Sequence, residues 1–422
     1  MTTVVHGGLA AARHVLSNGG IVISKEAHTV PAVTFQVSVR AGSIYDSNEF
    51  LGLSNLTSRV LDRGTRHRSN DEIAEALDAR GVSLSISANR HMLTVGCTCL
   101  SDDFEALLEL VADIVTQPSF PEDEIETRKG EVLNAIRQDE DSPAAMAVLA
   151  LFEMLYPEGH PYGRPAKGRV DTVTRITRAD LLAFHRARFA PSTLVVIIVG
   201  DVDNGRAADA AARVFGTWQA PAPDEITLAH PPSARKREER IIPMMNKAQA
   251  DIAYGFTTIT RSDPSYYAYT LLNNALGQYG IGGRLGDSIR ERQGMAYYVS
   301  SALDANVAPG PLTIRAGVSP ANVDRAVASI DDEVARLVAE GLTPQELDES
   351  RQYLIGSIPR ALETNSAIAS FLQTEEFFGL GLDYDARLPA LLNAVTLDDV
   401  HAAARRALDP ARATVVIAGP YQ

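Results

Sequence analysis

Two segments of this 422-residue chain repeat each other at a constant offset of 219 residues, about half its length. The first opens at Thr177-Arg178-Ala179-Asp180-Leu181, passes Pro191, and runs through Val195-Val196-Ile197-Ile198-Val199 to Gly200. The second opens at Thr396-Leu397-Asp398-Asp399-Val400, passes Pro410, and runs through Val415-Val416-Ile417-Ala418 to Gly419. Threonine and aspartate three residues apart mark a helix start, because each side chain can satisfy the other's backbone N–H. Each copy therefore predicts an amphipathic helix, a proline-marked turn and an apolar β-branched strand. One such match could be chance, but the joint match favours a duplicated domain.

Patterning fills in the halves. Strands are expected at 20–24, 32–40, 82–87 and 91–100 in the first, and at 250–256, 297–302 and 312–317 in the second. Helices are expected at 55–62, 70–80, 103–117, 122–138 and 144–156, then at 264–276, 284–291, 322–340, 344–363 and 366–378. Strands, then helices, then a closing strand specify an α+β fold with helices packed on one side of a largely antiparallel sheet. Pro221, Pro223, Pro231 and Pro232, followed by the charged run 236–240, read as a linker at 218–241 between domains 1–217 and 242–422.

Composition narrows the function classes. A net charge of −14 argues against nucleic acid, whose phosphates need dense Lys and Arg surfaces. No apolar run approaches the roughly eighteen residues needed to cross a bilayer, so no membrane partner is expected. The segment Met1–Gly8 lacks a basic stretch followed by an apolar core, which points to the cytoplasm, or to the periplasm if a leader precedes it. Cys97 and Cys99, two apart on an expected strand, read as small buried apolar groups rather than a redox pair or metal clip.

The stretch Gly52-Leu53-Ser54-Asn55-Leu56-Thr57-Ser58-Arg59-Val60-Leu61-Asp62-Arg63-Gly64-Thr65 has the frame of a helix that would carry an inverted zinc motif, His-x-x-Glu-His. Positions i, i+3 and i+4 share a helical face, so two imidazoles there bind one zinc while the carboxylate activates its water. Here those positions are Asn55, Ser58 and Arg59. An amide is a poor zinc ligand, a serine hydroxyl is no general base at neutral pH, and arginine sets a permanent positive charge where the dication would sit. None of the nine histidines offers a substitute pair at ligand spacing.

Beyond that frame, His160-Pro161-Tyr162-Gly163-Arg164-Pro165, Gly168, Ile176 to Leu181, Phe189-Ala190-Pro191 and Val199-Gly200-Asp201-Val202 follow in order. Together these segments resemble the insulinase/pitrilysin family of zinc peptidases, in particular its short bacterial members related to the mitochondrial processing peptidase. The resemblance spans nearly the whole chain. It implies an α+β metallohydrolase fold of two homologous halves forming a clamshell around a peptide chamber, paired with a second chain. It also implies an acidic third ligand on a second helix. In the segment Glu131-Val132-Leu133-Asn134-Ala135-Ile136-Arg137, Asn134 and Ala135 stand where the family's two glutamates would be, and Glu131 is near enough in the pattern to pair with Arg59.

In the second half the glycine run 277–283 leads to Arg290 and Tyr297, seven apart, which resemble the family's Arg-then-Tyr element supporting substrate and transition state. Guanidinium and phenol are donors suited to a substrate carbonyl or developing oxyanion. Without the family, Arg290 reads as a solvated residue paired with Asp287 or Glu291, and Tyr297 as a packed strand residue with Tyr298 its competitor in register. Gly280, Gly282 and Gly283 are candidates for close approach of a peptide backbone.

The expected function is a non-catalytic subunit of a heterodimeric zinc peptidase. A homologous partner bearing the zinc motif would hold the metal, this chain would bind no cofactor, and the substrate would be a peptide or unfolded polypeptide. The alternative is a catalytically dead scaffold or peptide-binding protein of the same fold, like the core-type proteins related to the family. A homodimer with an unrecognised metal site fails on ligand count in both halves.

Overall fold

In the computed structural model, which describes residues 2–4, 8–232 and 234–422, the chain divides into two compact units. The first comprises residues 1–136, 165–226 and 358–386, and the second 137–164, 227–357 and 387–422. Of the segment read for a leader, residues 1 and 5–7 lie outside the described residues.

The first unit is built on a seven-stranded sheet of β1 (Thr2–Val4), β2 (Ala12–Val15), β3 (Ile21–Glu26), β4 (Ala32–Val39), β5 (Ser85–Ala88), β6 (Leu93–Leu100) and β7 (Val195–Gly200). Its order is β1-β2-β3-β7-β4-β6-β5, with only the β3–β7 pair parallel. Between the strands come α1 (Leu53–Val60), α2 (Asn70–Asp78), α3 (Phe104–Thr116), α4 (Glu122–Glu140), α5 (Pro143–Leu155), α6 (Val170–Arg175) and α7 (Arg178–Arg188), with α8 (Asn204–Phe215) after β7. Period-two alternation buries both faces of β7. Val196 and Ile198 join the core built with α3, α7 and α8, while Ile197 and Val199 face the opposite way, onto Ala369 and Leu372.

The second unit carries a five-stranded sheet of β8 (Glu238–Pro243), β9 (Ala250–Thr257), β10 (Ala296–Leu303), β11 (Pro311–Val318) and β12 (Thr414–Gly419). Its order, β10-β11-β9-β12-β8, again has one parallel pair, β12–β8. The second half of the chain supplies the helices α9 (Tyr266–Asn273), α10 (Val323–Glu340), α11 (Pro344–Ala361), α12 (Asn365–Phe378), α13 (Tyr384–Asn393) and α14 (Leu397–Ala407). Replacing β3, β7, β4, β6 and β5 by β8, β12, β9, β11 and β10 turns five consecutive strands of one sheet into the other. The chain is therefore an α+β protein of two homologous halves, and the duplication covers whole sheets rather than the closing segments alone.

Those closing segments match in detail. Thr177 and Asp180 form a capping box on α7, as Thr396 and Asp399 do on α14. Gly200 and Gly419, at φ 144° and 140°, lie where a Cβ would meet Ala32 O at 2.2 Å and Ala250 Cα at 2.6 Å. Both positions admit only glycine, for the same reason in each copy.

The helices cut across sequence order. α5, from the first half, packs on β9 and β12 within the second unit, and α12, from the second half, packs on β4 and β7 within the first. The four strands correspond under the duplication, so the exchange is reciprocal. Division at 218–241 describes the repeat along the chain; residues 238–241 of that segment already belong to β8.

Cys97 and Cys99 are both buried. The helices expected at 264–276 and 284–291 are instead a short α9 and two π-helical stretches, Asn274–Gln278 and Gly286–Arg292. No helix among the described residues is long and apolar enough to cross a membrane.

Candidate functional site

The helix carrying Asn55, Ser58 and Arg59 is held by a residue outside the motif. Asp46, 3% exposed, accepts hydrogen bonds from Gly52 N at 3.0 Å, Ser54 N at 2.9 Å and Ser54 Oγ at 3.1 Å. A carboxylate at the positive end of α1 satisfies donors that the first turn leaves unpaired. A Cβ on Gly52 would lie 2.5 Å from Lys167 O, and one on Gly168 would lie 2.2 Å from Leu51 O. These two motif glycines keep the start of α1 against the loop before α6.

On the far side of α1 a pocket of about 330 Å³ opens between α1, α4 and β5, and Asn55, Ser58 and Arg59 all line it, with Asp62, Arg63, Arg128 and Glu131. The three motif positions therefore share one face, as their spacing requires. Their chemistry does not suit zinc. Ser58 is buried and its hydroxyl donates to Asn55 O at 2.7 Å, back into the helix. Arg59 is exposed and has no acidic partner among the described residues. Glu131 pairs with Arg128 rather than with Arg59 as expected, because the two lie one turn apart on α4. Ala135, one turn after Glu131 on the same helix, carries a methyl group and no ligand atom. Burial pushes the carboxyl of Asp62 above its ordinary value, only partly offset by Arg63.

One other group was invisible to histidine spacing. Ligand atoms of Glu26, His28 and Asp203 lie within 4.8 Å of one another. They sit at the surface beside the N-terminus of α8, whose positive end disfavours a cation.

The His160–Pro165 segment is structural. Its imidazole accepts from Tyr162 N at 3.1 Å through Nδ1 and meets Ala229 O at 2.9 Å through Nε2, which fixes a neutral ring with both nitrogens engaged.

In the second unit, Arg290 lies in the π-helical stretch Gly286–Arg292, exposed, 3.7 Å from Glu291. Tyr297 is 83% exposed on β10, the edge strand, where the register with β11 shifts between Ala296 and Tyr298. A bulge at that point turns the extra residue out of the regular alternation. Tyr298 is the anchored member of the pair: its hydroxyl donates to Asp251 at 2.5 Å, and burial together with that bond pushes the phenol up to about 12. Tyr297 is thus the exposed phenol of the two.

The glycine run is divided in its roles. A Cβ on Gly277 would meet Ser301 N of β10 at 2.8 Å, and one on Gly283 would meet Gly277 Cα at 3.0 Å, so Gly277 serves close packing against β10 and Gly283 close packing against Gly277. Gly282 lies exposed and Gly280 half-buried, with open space where a Cβ on Gly280 would stand. The π-turns on either side follow from this crowding, since a widened turn absorbs a residue that a regular helix would drive into the strand.

Comparison with known proteins supplies the wider frame. Residues 21–165 match the model of "Insulinase (Peptidase family M16)" and residues 175–354 that of "Peptidase M16 inactive domain". An "Uncharacterized zinc protease" of Streptomyces coelicolor is 28% identical over 100% of this chain and 92% of its own length. A "Non-peptidase homolog YmxG" of Helicobacter pylori is 24% identical over 90% of this chain and 87% of its own. The crystal structure of a peptidase M16 inactive domain from Pseudomonas fluorescens superposes with a TM-score of 0.90 at 27% identity, covering 97% of this chain and 98% of that one.

Proposed function

Because the chain belongs to the insulinase family of peptidases, family M16, and fits a member without catalysis of its own, we propose that it is the non-catalytic subunit of a heterodimeric zinc metallopeptidase. The partner, a homologue with an intact zinc motif, supplies the metal and the general base. This chain binds the peptide and presents Arg290 and Tyr297 as donors toward the substrate carbonyl. The observation that carries the reading is an asymmetry between neighbours: Tyr298 is tied to Asp251, while Tyr297 is 83% exposed on a bulge and its hydroxyl has no partner among the described residues. Gly280 and Gly282 then leave backbone accessible to a peptide near this donor pair.

The competing reading, a scaffold or peptide-binding protein of the same fold, draws on the 3.7 Å pairing of Arg290 with Glu291, the arrangement of an ordinary solvated arginine. A peptidase assay separates the two. This chain alone, a co-expressed homologue with the zinc motif alone, and their mixture are compared, with zinc measured in each. Activity confined to the mixture, zinc following the homologue, and a loss of turnover at unchanged zinc in Arg290→Ala and Tyr297→Phe are expected. A mixture no better than the homologue leaves the scaffold reading. About one zinc per isolated chain would overturn the ligand argument.

A further inference from the structure

The pocket beside α1 has exchanged one kind of positive charge for another. Three guanidinium groups line it. Arg63 lies 3.1 Å from Asp62, and Arg128 pairs with Glu131 and lies 3.7 Å from Glu124, which leaves Arg59 without an acidic partner among the described residues. In a chain of net charge −14, an uncompensated arginine at a pocket wall concentrates positive potential locally. Beside it, the Asn55 side-chain amide makes no hydrogen bond among the described residues. The Asn55 NH2 and the Arg59 guanidinium are therefore donors at one pocket wall, a pair suited to an acceptor such as a carboxylate.

The third wall says what that ligand is attached to. β5 ends its sheet, paired with β6 on one side only, and its Ile86, Ser87 and Ala88 line the pocket. The strand Ser85-Ile86-Ser87-Ala88 carries no charge and no proline, the features that ordinarily block pairing at an edge. An extended peptide can add there through its backbone, and whatever it carries next to the strand then lies over α1.

We infer that this pocket is a carboxylate subsite for a bound peptide, with Arg59 as charge partner, the Asn55 amide as a second hydrogen-bonding group and β5 as the strand to which the peptide adds. A planar guanidinium offers paired donors that match a carboxylate, which a solvated metal-site remnant would not require. The carboxylate is either the peptide's C-terminus or an acidic side chain. The inference rests on the peptide-binding part of the proposed function and is independent of any shared metal site.

Binding of three probes to the full chain tests it: acetyl-Val-Ser-Val-Ala with a free C-terminus, its C-terminal amide, and the amide with glutamate replacing serine. At low salt one or both carboxylate probes should bind about tenfold more tightly than the neutral amide, and which of them gains identifies the source. The preference should shrink as salt rises. Arg59→Gln, a change at an exposed position, should erase it while leaving the neutral amide's affinity as it was, and Arg59→Lys should retain part of it. Equal binding of all three probes overturns the subsite while leaving peptide binding intact. A preference that survives Arg59→Gln, or no binding of any probe, also overturns it. The assay of the mixed subunits is unaffected by any of these outcomes.

Discussion

The edge strands β5 and β10 occupy equivalent places in two sheets of the same order, and they have diverged more than anything between them. β5 is four residues long, regular and uncharged, and it borders a pocket whose motif helix has lost every ligand. β10 is eight residues long and broken by a bulge that exposes Tyr297 beside a π-helical stretch holding Arg290. The inner strands cannot drift this way, because β12 is buried throughout and β7 at every residue after Val195. Only the edges, with one side unpaired, were free to take on different chemistry after duplication.

The largest expected effect tests how far the lost motif still depends on its scaffold. Asp46→Ala removes three hydrogen bonds from the start of α1 and should lower the free energy of unfolding by about 3 kcal/mol, read by denaturant titration. A change under about 1 kcal/mol would mean that packing alone holds α1.

In the second half the comparable anchor is Glu346, which takes two hydrogen bonds from Arg284, at 2.6 and 2.8 Å. Burial would raise its pKa, but Arg284 and the backbone of Thr343 outweigh it and hold the carboxyl at about 2. A folded-state value below the unfolded one stabilises fully above the unfolded pKa and is lost as pH falls toward 2. Glu346→Gln should therefore cost about 2 kcal/mol at neutral pH and flatten the acid limb of stability between about pH 4.5 and 2. An unchanged acid limb would remove Glu346 from that role.

The two tyrosines of β10 sharpen the contrast within one edge. Tyr298→Phe should destabilise by about 1 kcal/mol through loss of the bond to Asp251, whereas Tyr297→Phe should stay within about 0.5 kcal/mol, as expected of an exposed side chain. Reversal of that ranking in thermal unfolding would exchange their roles. The smallest effect belongs to the pocket on β5: Arg59→Gln should leave stability within about 0.5 kcal/mol, so that any change in peptide preference reports binding alone.

Much of this was legible along the chain. The capping boxes at Thr177 and Thr396 and the apolar runs at 195–199 and 415–418 announce themselves because their causes are local. The shared face of Asn55, Ser58 and Arg59 follows from helical spacing. β8 escaped notice because it is an exposed edge strand, so its residues carry mixed charge and no alternation. Asp46 escaped because it caps a helix that begins seven residues later, with no local pattern linking the two. The shortened α9 and its π-turn depend on Gly277 meeting a strand more than twenty residues away.

The sequence by itself determined that the chain is a duplicated α+β protein of a peptidase family and that its metal motif lacks ligands, since periodicity, caps and residue chemistry are short-range properties. Only the tertiary structure decided which sheet each apolar helix covers, which sends α5 and α12 across the duplication in opposite directions. It also decided that Glu131 goes to Arg128, that Arg59 has no acidic partner among the described residues, and that Tyr297 rather than Tyr298 is the exposed phenol. An apolar stripe or a charged side chain states what it needs, and its partner is whichever group the fold brings within reach.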